Sequence, residues 1–245
     1  MVNERRSRDA REEHLERLLL PRTHVIQMQL AKYIESTNVE PNATREDIER
    51  LCDEAVKYGF YAVCVLPTWV PLAVRRLKGT GVKVVTGPIA FFGGTPEMKA
   101  FGARHVVEMG ADAVDMLINL GALKSGDLDL AKRDMAAVVE AAKGVNPSVE
   151  VKVIIECCYL SDEEKVTAAR LAEETGIDLV KTSTGRGPWG AKVEDVRLLR
   201  SVLSPRVKVK AAGGIRTREQ ALAMIEAGAE RIGTSTAVEI VKSQL

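Results

Sequence analysis

The sequence carries almost no net charge: 35 lysines and arginines stand against 34 aspartates and glutamates, a balance of +1 over 245 residues. With no global field there is no electrostatic case for nucleic acid or an anionic membrane surface, so any anionic ligand must be met locally. Cysteine is scarce. Cys52, Cys64, Cys157 and Cys158 lie in or beside apolar segments without CxxC spacing, and the start, "MVNERRSRDAREEHLERLLL", is charged. Reduced thiols and a cytoplasmic location are therefore expected. No apolar run approaches the roughly 20 residues needed to span a bilayer, and a soluble protein with no membrane partner is expected. The three histidines, His14, His24 and His105, are scattered without ligand spacing, so neither a zinc cluster nor a catalytic imidazole is expected. Neither GxGxxG nor GxxxxGK[ST] occurs, and no cofactor is expected.

What the sequence does have is a glycine that recurs at one point of a repeating pattern: a polar–apolar helical stretch, Gly, a short gap, then β-branched or aliphatic residues. Five copies are legible, at Gly59, Gly81, Gly110, Gly176 and Gly228. Each glycine is predicted to take the left-handed conformation just past a helix. Five residues further on stand Cys64, Thr86, Asp115, Lys181 and Gly233, expected at equivalent places late in successive parallel strands with side chains on one face. Strands are predicted at 32–36, 62–66, 83–89, 113–119, 150–156, 178–184, 207–212 and 230–234. Between them, Thr44 should cap one helix, and Ser161 with Glu164 should form a capping box on another. Eight strands alternating with helices at about 26 residues per unit predict an α/β fold, a (β/α)8 TIM barrel over residues 31–245. Residues 1–30 stand outside the repeat. They read as an N-terminal helical extension, with "DAREEHLERLLL" stopped at Pro21, that closes the barrel's N-terminal end or joins a subunit contact; a homo-oligomer is expected.

In such a barrel the C-terminal strand ends converge on one pocket. The stretch "GIDLVKTSTGRGPWG" ends an apolar run on Lys181. A solvated ammonium is no nucleophile, but desolvation and a second nearby cation favour the free amine, which attacks carbonyls. Lys210, late in "VKVKAAGG" on the next strand, supplies that second cation. Lys83, Lys152 and Lys208 come early in their strands and are expected to snorkel to solvent at the barrel bottom. Asp115 occupies the place matching Lys181, with Asn119 on the same face, and can serve as counter-ion or proton carrier. "AAGGIRT" (Gly213, Gly214) and "IGTSTA" (Gly233, Thr234, Ser235, Thr236) follow the seventh and eighth strands, the usual phosphate position of this fold, and Gly185 and Arg186 can add a backbone contact and a charge. Cys64 shares the strand-end position and is expected to be an inert packed thiol.

Taken together, "LVKTSTG", "VKAAGGIRT", "VDMLINLGALKSGD", "VKVIIE" and "ALAMIEAGAERIGTST" resemble the deoxyribose-phosphate aldolase family of class I aldolases, from about Leu30 to Val241. The resemblance implies an imine between Lys181 and acetaldehyde, tuned by Lys210, with Asp115 relaying protons. It implies reversible cleavage of 2-deoxy-D-ribose 5-phosphate to acetaldehyde and D-glyceraldehyde 3-phosphate, a step of deoxyribonucleotide catabolism, with Gly213, Gly214, Gly233 and Ser235 holding the phosphate. Three positions depart from the family pattern: Glu35 replaces Asp, Asn38 replaces Leu and Leu66 replaces Asn. A shorter third strand, "TGPIAFFGGTPEMK", departs too. These places are expected near the substrate's hydroxyls, where a changed pocket residue shifts preference among substrates. An aldolase of altered donor or acceptor specificity, or a phosphosugar-binding barrel without turnover, are the alternative readings.

Overall fold

The computed structural model describes residues 29–89 and 93–243, and within them eight parallel strands close into one barrel in sequence order. The strands are β1 (Ile34–Asn38), β2 (Ala62–Val65), β3 (Lys83–Ile89), β4 (Ala113–Leu117), β5 (Glu150–Ile154), β6 (Leu179–Lys181), β7 (Lys208–Ala212) and β8 (Arg231–Thr234). Around them run α1 (Arg45–Tyr58), α2 (Val70–Leu77), α3 (Pro96–Glu108), α4 (Leu120–Lys124), α5 (Leu128–Val145), α6 (Asp162–Glu174), α7 (Val193–Val202), α8 (Arg218–Glu226) and α9 (Ala237–Lys242). This is the TIM barrel that the glycine repeat predicts. The extension over residues 1–28, with His14, Pro21 and His24, lies outside the described residues. No described helix is long and apolar enough to cross a membrane.

Local signals start and stop these helices. Thr44 with Asp47, Ser161 with Glu164 and Thr217 with Gln220 each form a reciprocal capping box, satisfying amide donors that the first helical turn leaves unpaired. All five repeat glycines have positive φ, between 68° and 109°. At Gly59, Gly110, Gly176 and Gly228, each within two residues of a helix end, glycine is what allows the helix to turn back into a strand; Gly81 instead lies four residues beyond the last residue of α2, so its expected helix-end place is corrected.

Alternation along the strands sorts side chains between two layers. Val63, Val65, Val114, Met116, Val151, Val153, Val180, Val209 and Ile232 face outward beneath the helices and build the main core. Inside the barrel one apolar patch is small, Ala62, Cys64, Val85 and Ala113, and next to it lies a cluster of charged side chains. The count from the repeat glycines breaks at β3. β3 starts two residues after Gly81, whereas β2, β4, β6 and β8 start three residues after their glycines. Val85, not Thr86, is therefore the inward neighbour of Cys64, and Thr86 pairs with outward Val65 and donates to its carbonyl at 3.0 Å. The expected equivalence of Thr86 with Asp115 and Lys181 is corrected accordingly.

Strand limits shift at two functional places. β1 runs 34–38 rather than 32–36, because Leu30 and Ala31 are helical and a turn closes with Tyr33 N donating to Leu30 O. β6 stops at Lys181 instead of reaching residue 184. Thr182 N still donates to Lys210 O at 3.0 Å, and the chain then leaves the sheet as a loop.

Candidate active site

Five ionisable side chains from five strands meet inside the barrel: Glu35 (β1), Asp115 (β4), Lys152 (β5), Lys181 (β6) and Lys210 (β7). Glu35, Asp115, Lys152 and Lys210 are fully buried, and Lys181 alone retains some exposure, at 7%. Lys181 Nζ donates to Asp115 Oδ2 at 2.7 Å, and Lys210 Nζ donates to the same oxygen at 3.0 Å. Glu35 lies one level deeper, its Oε1 accepting from Lys152 Nζ and its Oε2 from Lys210 Nζ. Lys152 Nζ also stands 4.0 Å from Asp115 Oδ1.

Burial alone would raise the carboxyl of Asp115, but the ammonium groups of Lys181, Lys210 and Lys152 outweigh it and hold Asp115 well below the usual range. Glu35 is lowered the same way, burial being overcome by Lys152 and Lys210. For Lys210 burial works against the charge, yet Asp115 and Glu35 more than compensate and keep its ammonium above the ordinary lysine range. Three amines thus share two carboxylates, and the cluster is neutral when one amine gives up its proton. The two expected cations do not face one another bare; Asp115 stands between them.

Two expectations are corrected here. Lys152 does not snorkel to the barrel bottom: its Nζ is buried on Glu35. Lys83 and Lys208 do reach the rim, 51% and 42% exposed at their side chains, pairing with Asp112 and Glu150. Glu35 likewise belongs to the charged cluster and does not line the pocket. A lysine early in a strand and a glutamate in "IEST" gave no signal that they would pair across the barrel; only closure of β1 against β8 brings Glu35 over β7.

Above the cluster opens a pocket of about 530 Å³. Lys181 lines it together with Gly185, Arg186, Gly213, Gly214, Gly233, Thr234 and Ser235, so the residues expected at the phosphate position share one cavity with the amine, except Thr236, which does not line it. Asn38 lines it as well, whereas Leu66, at the start of a short 3-10 turn, does not. Arg186 extends across the mouth, its guanidinium donating to Glu40 at 2.7 Å. The Thr234 hydroxyl is spent inside the fold, donating to Ile215 O at 2.7 Å. Asn119 is a helix cap, its Oδ1 accepting from Ala122 N at 3.0 Å. His105 stacks on Phe101 at 6.1 Å on α3, away from the pocket.

Glycine makes this geometry possible at three places. A Cβ on Gly190 would sit 2.1 Å from Gly213 O, and one on Gly213 would meet the Cα atoms of Gly190 and Gly185 at 3.0 and 3.2 Å. The loops after β6 and β7 therefore touch backbone to backbone, and Ala191 N donates to Gly213 O at 3.0 Å. On the far side, Gly87 of β3 (φ 145°) lets that strand lie against Asp115, whose carbonyl oxygen would be 2.3 Å from an added Cβ. Gly233 packs on the stem of Lys210, with Cε 3.1 Å from a Cβ at that site. The Cys64 thiol faces the cluster, and burial pushes its pKa up, which leaves it protonated and unreactive.

Known proteins share this arrangement of chain. The family model described as "DeoC/LacD family aldolase" matches residues 26–240. A deoxyribose-phosphate aldolase of Thermococcus gammatolerans is 57% identical over 221 residues, covering 89% of this chain and 97% of the relative. One of Streptococcus gordonii is 52% identical over 219 residues, with 89% and 97% covered. Among solved structures, a deoxyribose phosphate aldolase of Aeropyrum pernix, described as having a unique tetrameric structure, superposes with a TM-score of 0.80 at 32% identity over 89% of this chain and 91% of that one. With a matching model over most of its length and relatives above half identity over 89% of it, the chain belongs to the DeoC/LacD aldolase family.

Proposed function

We propose that the protein is a class I aldolase that reversibly cleaves 2-deoxy-D-ribose 5-phosphate to acetaldehyde and D-glyceraldehyde 3-phosphate through an imine on Lys181. The observation that carries the reading is the 2.7 Å contact between Lys181 Nζ and Asp115 Oδ2 at the floor of a pocket walled by Gly185, Gly213, Gly214, Gly233 and Ser235. The relatives that carry the name deoxyribose-phosphate aldolase support the substrate.

Lys181 Nζ, once it has passed its proton on, attacks the aldehyde carbon of the open-chain sugar, and the adduct loses water to give an iminium. Removal of the proton from the C3 hydroxyl breaks the C2–C3 bond. The electron pair of that bond moves into an enamine on Lys181, and glyceraldehyde 3-phosphate leaves as the aldehyde. Protonation of the enamine carbon and addition of water then release acetaldehyde and restore the amine. Asp115, sharing its Oδ2 with Lys181, is the group placed to carry protons to and from the nitrogen and its neighbours. Lys210 stays charged and holds Asp115 in place. Backbone amides of Gly213, Gly214 and Gly233, with the Ser235 hydroxyl, hold the phosphate, and Gly185 and Arg186 close its outer side.

A sugar-phosphate substrate and no nucleic-acid partner fit a pocket of this lining. A homo-oligomer and a cytoplasmic location are proposed with it, the former supported by the tetrameric relative. Of Glu35, Asn38 and Leu66, Asn38 alone lines the pocket, which makes that side chain a place where specificity can shift. Assay of acetaldehyde release from a panel with deoxyribose 5-phosphate, ribose 5-phosphate and ketose bisphosphates should favour the first. Borohydride with acetaldehyde should leave one reduced adduct on Lys181. A Lys181→Met variant should lose at least about 10³-fold in cleavage; full activity in that variant would remove the imine reading.

A further inference from the structure

Glu156, two residues past the end of β5, is the one non-glycine residue with positive φ among the described residues, at φ 52° and ψ 66°. An L side chain in this left-handed conformation is strained, and such strain persists where the surroundings over-determine it. The surroundings here are the loop after β6 and the neighbouring Cys158. The buried carboxylate takes the Thr184 backbone N–H on Oε1 at 3.1 Å and Oε2 at 3.2 Å, and the Thr184 hydroxyl on Oε2. Thr184 Oγ1 in turn accepts from Arg186 N at 3.0 Å. The Cys158 thiol donates to Oε1 at 3.8 Å, and a Cβ on Gly187 would stand 2.4 Å from Cys158 Sγ and 3.5 Å from Glu156 Oε1.

The other buried acids among the helices, Asp134 and Asp195, are neutralised by Lys99 and Lys165 and tie helix to helix. Glu156 differs: among the described residues every hydrogen bond to its carboxylate comes from Thr184 or Cys158. Thr184, Gly185 and Arg186, the segment it grips, all line the 530 Å³ pocket and begin three residues after Lys181. The left-handed turn is what brings the carboxylate of a residue leaving β5 across to the loop leaving β6.

We infer that Glu156 is a positioning residue for the anionic end of the ligand. It sets the height of the 184–187 loop so that the Gly185 and Arg186 backbone meets the phosphate, while leaving the reacting carbon to Lys181. The inference rests on the proposed function and concerns the substrate's remote end, so it separates KM from kcat.

The test compares the native enzyme with Glu156→Gln, which keeps size but loses an acceptor and the charge, and Glu156→Gly, which relaxes the backbone and removes the clamp. KM for deoxyribose 5-phosphate should rise about tenfold in both, with kcat held within about threefold. Inorganic phosphate, titrated calorimetrically into each protein, should weaken about tenfold. Unphosphorylated deoxyribose should be cleaved by the variants with unchanged kcat/KM. Native behaviour of Glu156→Gly would overturn the inference, as would a loss in kcat alone or equal losses on both substrates. Should Glu156→Gln not fold, Thr184→Val, which removes the hydroxyl between Glu156 and Arg186 N, carries the same expected rise, and an unchanged KM there overturns it. Phosphate binding that weakens in the variants while the native protein cleaves no deoxyribose 5-phosphate would count against the aldolase reading and in favour of the clamp.

Discussion

Lys181 and Lys210 are joined through one oxygen: Asp115 Oδ2 lies 2.7 Å from the first amine and 3.0 Å from the second. The two lysines pair in register on adjacent strands β6 and β7, so this bridge is fixed by the sheet and not by side-chain chance. Loss of either amine leaves the shared carboxylate oxygen with one donor fewer.

Replacing Lys210 by Met should therefore act on chemistry and on folding together. Cleavage should fall by about 10²–10⁴-fold, the range expected when a proton-transfer arrangement is dismantled. Stability should drop by about 3–5 kcal/mol, because Glu35 loses one of its two buried partners. Single-turnover rates and urea unfolding of the same preparation check the two effects.

Glu35 has no place on the pocket wall, and its removal should be felt first as stability. Glu35→Gln leaves Lys152 and Lys210 buried with too little negative charge, a cost of about 3–5 kcal/mol. Adding Lys152→Met should recover part of that loss. Denaturation midpoints of both single variants and the double variant measure the coupling; strict additivity would show that the pair is not energetically linked.

The cluster also sets a pH window. Asp115 and Glu35 titrate below their ordinary values, so the stability they contribute is complete above about pH 5 and erodes as pH falls below about 4. Lys210 is raised, so its contribution is complete below about pH 10.4 and is lost only as pH climbs through its higher folded value. Unfolding free energy measured against pH should show an acid limb that becomes shallower in Asp115→Asn. An unchanged limb would assign acid unfolding to other carboxylates.

At Gly87 a methyl group has nowhere to go. With φ at 145° and the Asp115 carbonyl 2.3 Å from an added Cβ, Gly87→Ala should push β3 away from β4, destabilise by about 1–3 kcal/mol and displace Asp115 from Lys181. Thermal unfolding and kcat should fall together; a variant that melts normally with native kcat would show that β3 has slack.

Much of this was legible from residue order. Four of the five glycines mark where helices turn back, and counting from them finds Asp115 and Lys181 because β4 and β6 share the same three-residue lead. The count failed at Thr86 because the lead into β3 is one residue shorter, and a single residue reverses which face a side chain joins. Lys152 departs from its expected place for a different reason. Its early position in β5 suggests the solvent end, but in a tilted barrel neighbouring strands are staggered, so Lys152 lies level with Asp115 of β4. Glu156 left no trace at all in hydropathy or spacing, since a left-handed glutamate is recognised only from backbone angles.

The bare contact of Gly185 and Gly190 with Gly213 gives the loops leaving β6 and β7 no side chains through which to slide. They behave as one stiff wall whose shape is settled during folding, so a ligand docking there has little loop motion left to freeze. Such a wall is selective because it cannot yield: an anion wider than the gap meets main chain, and the mismatch cannot be relieved by a change of rotamer.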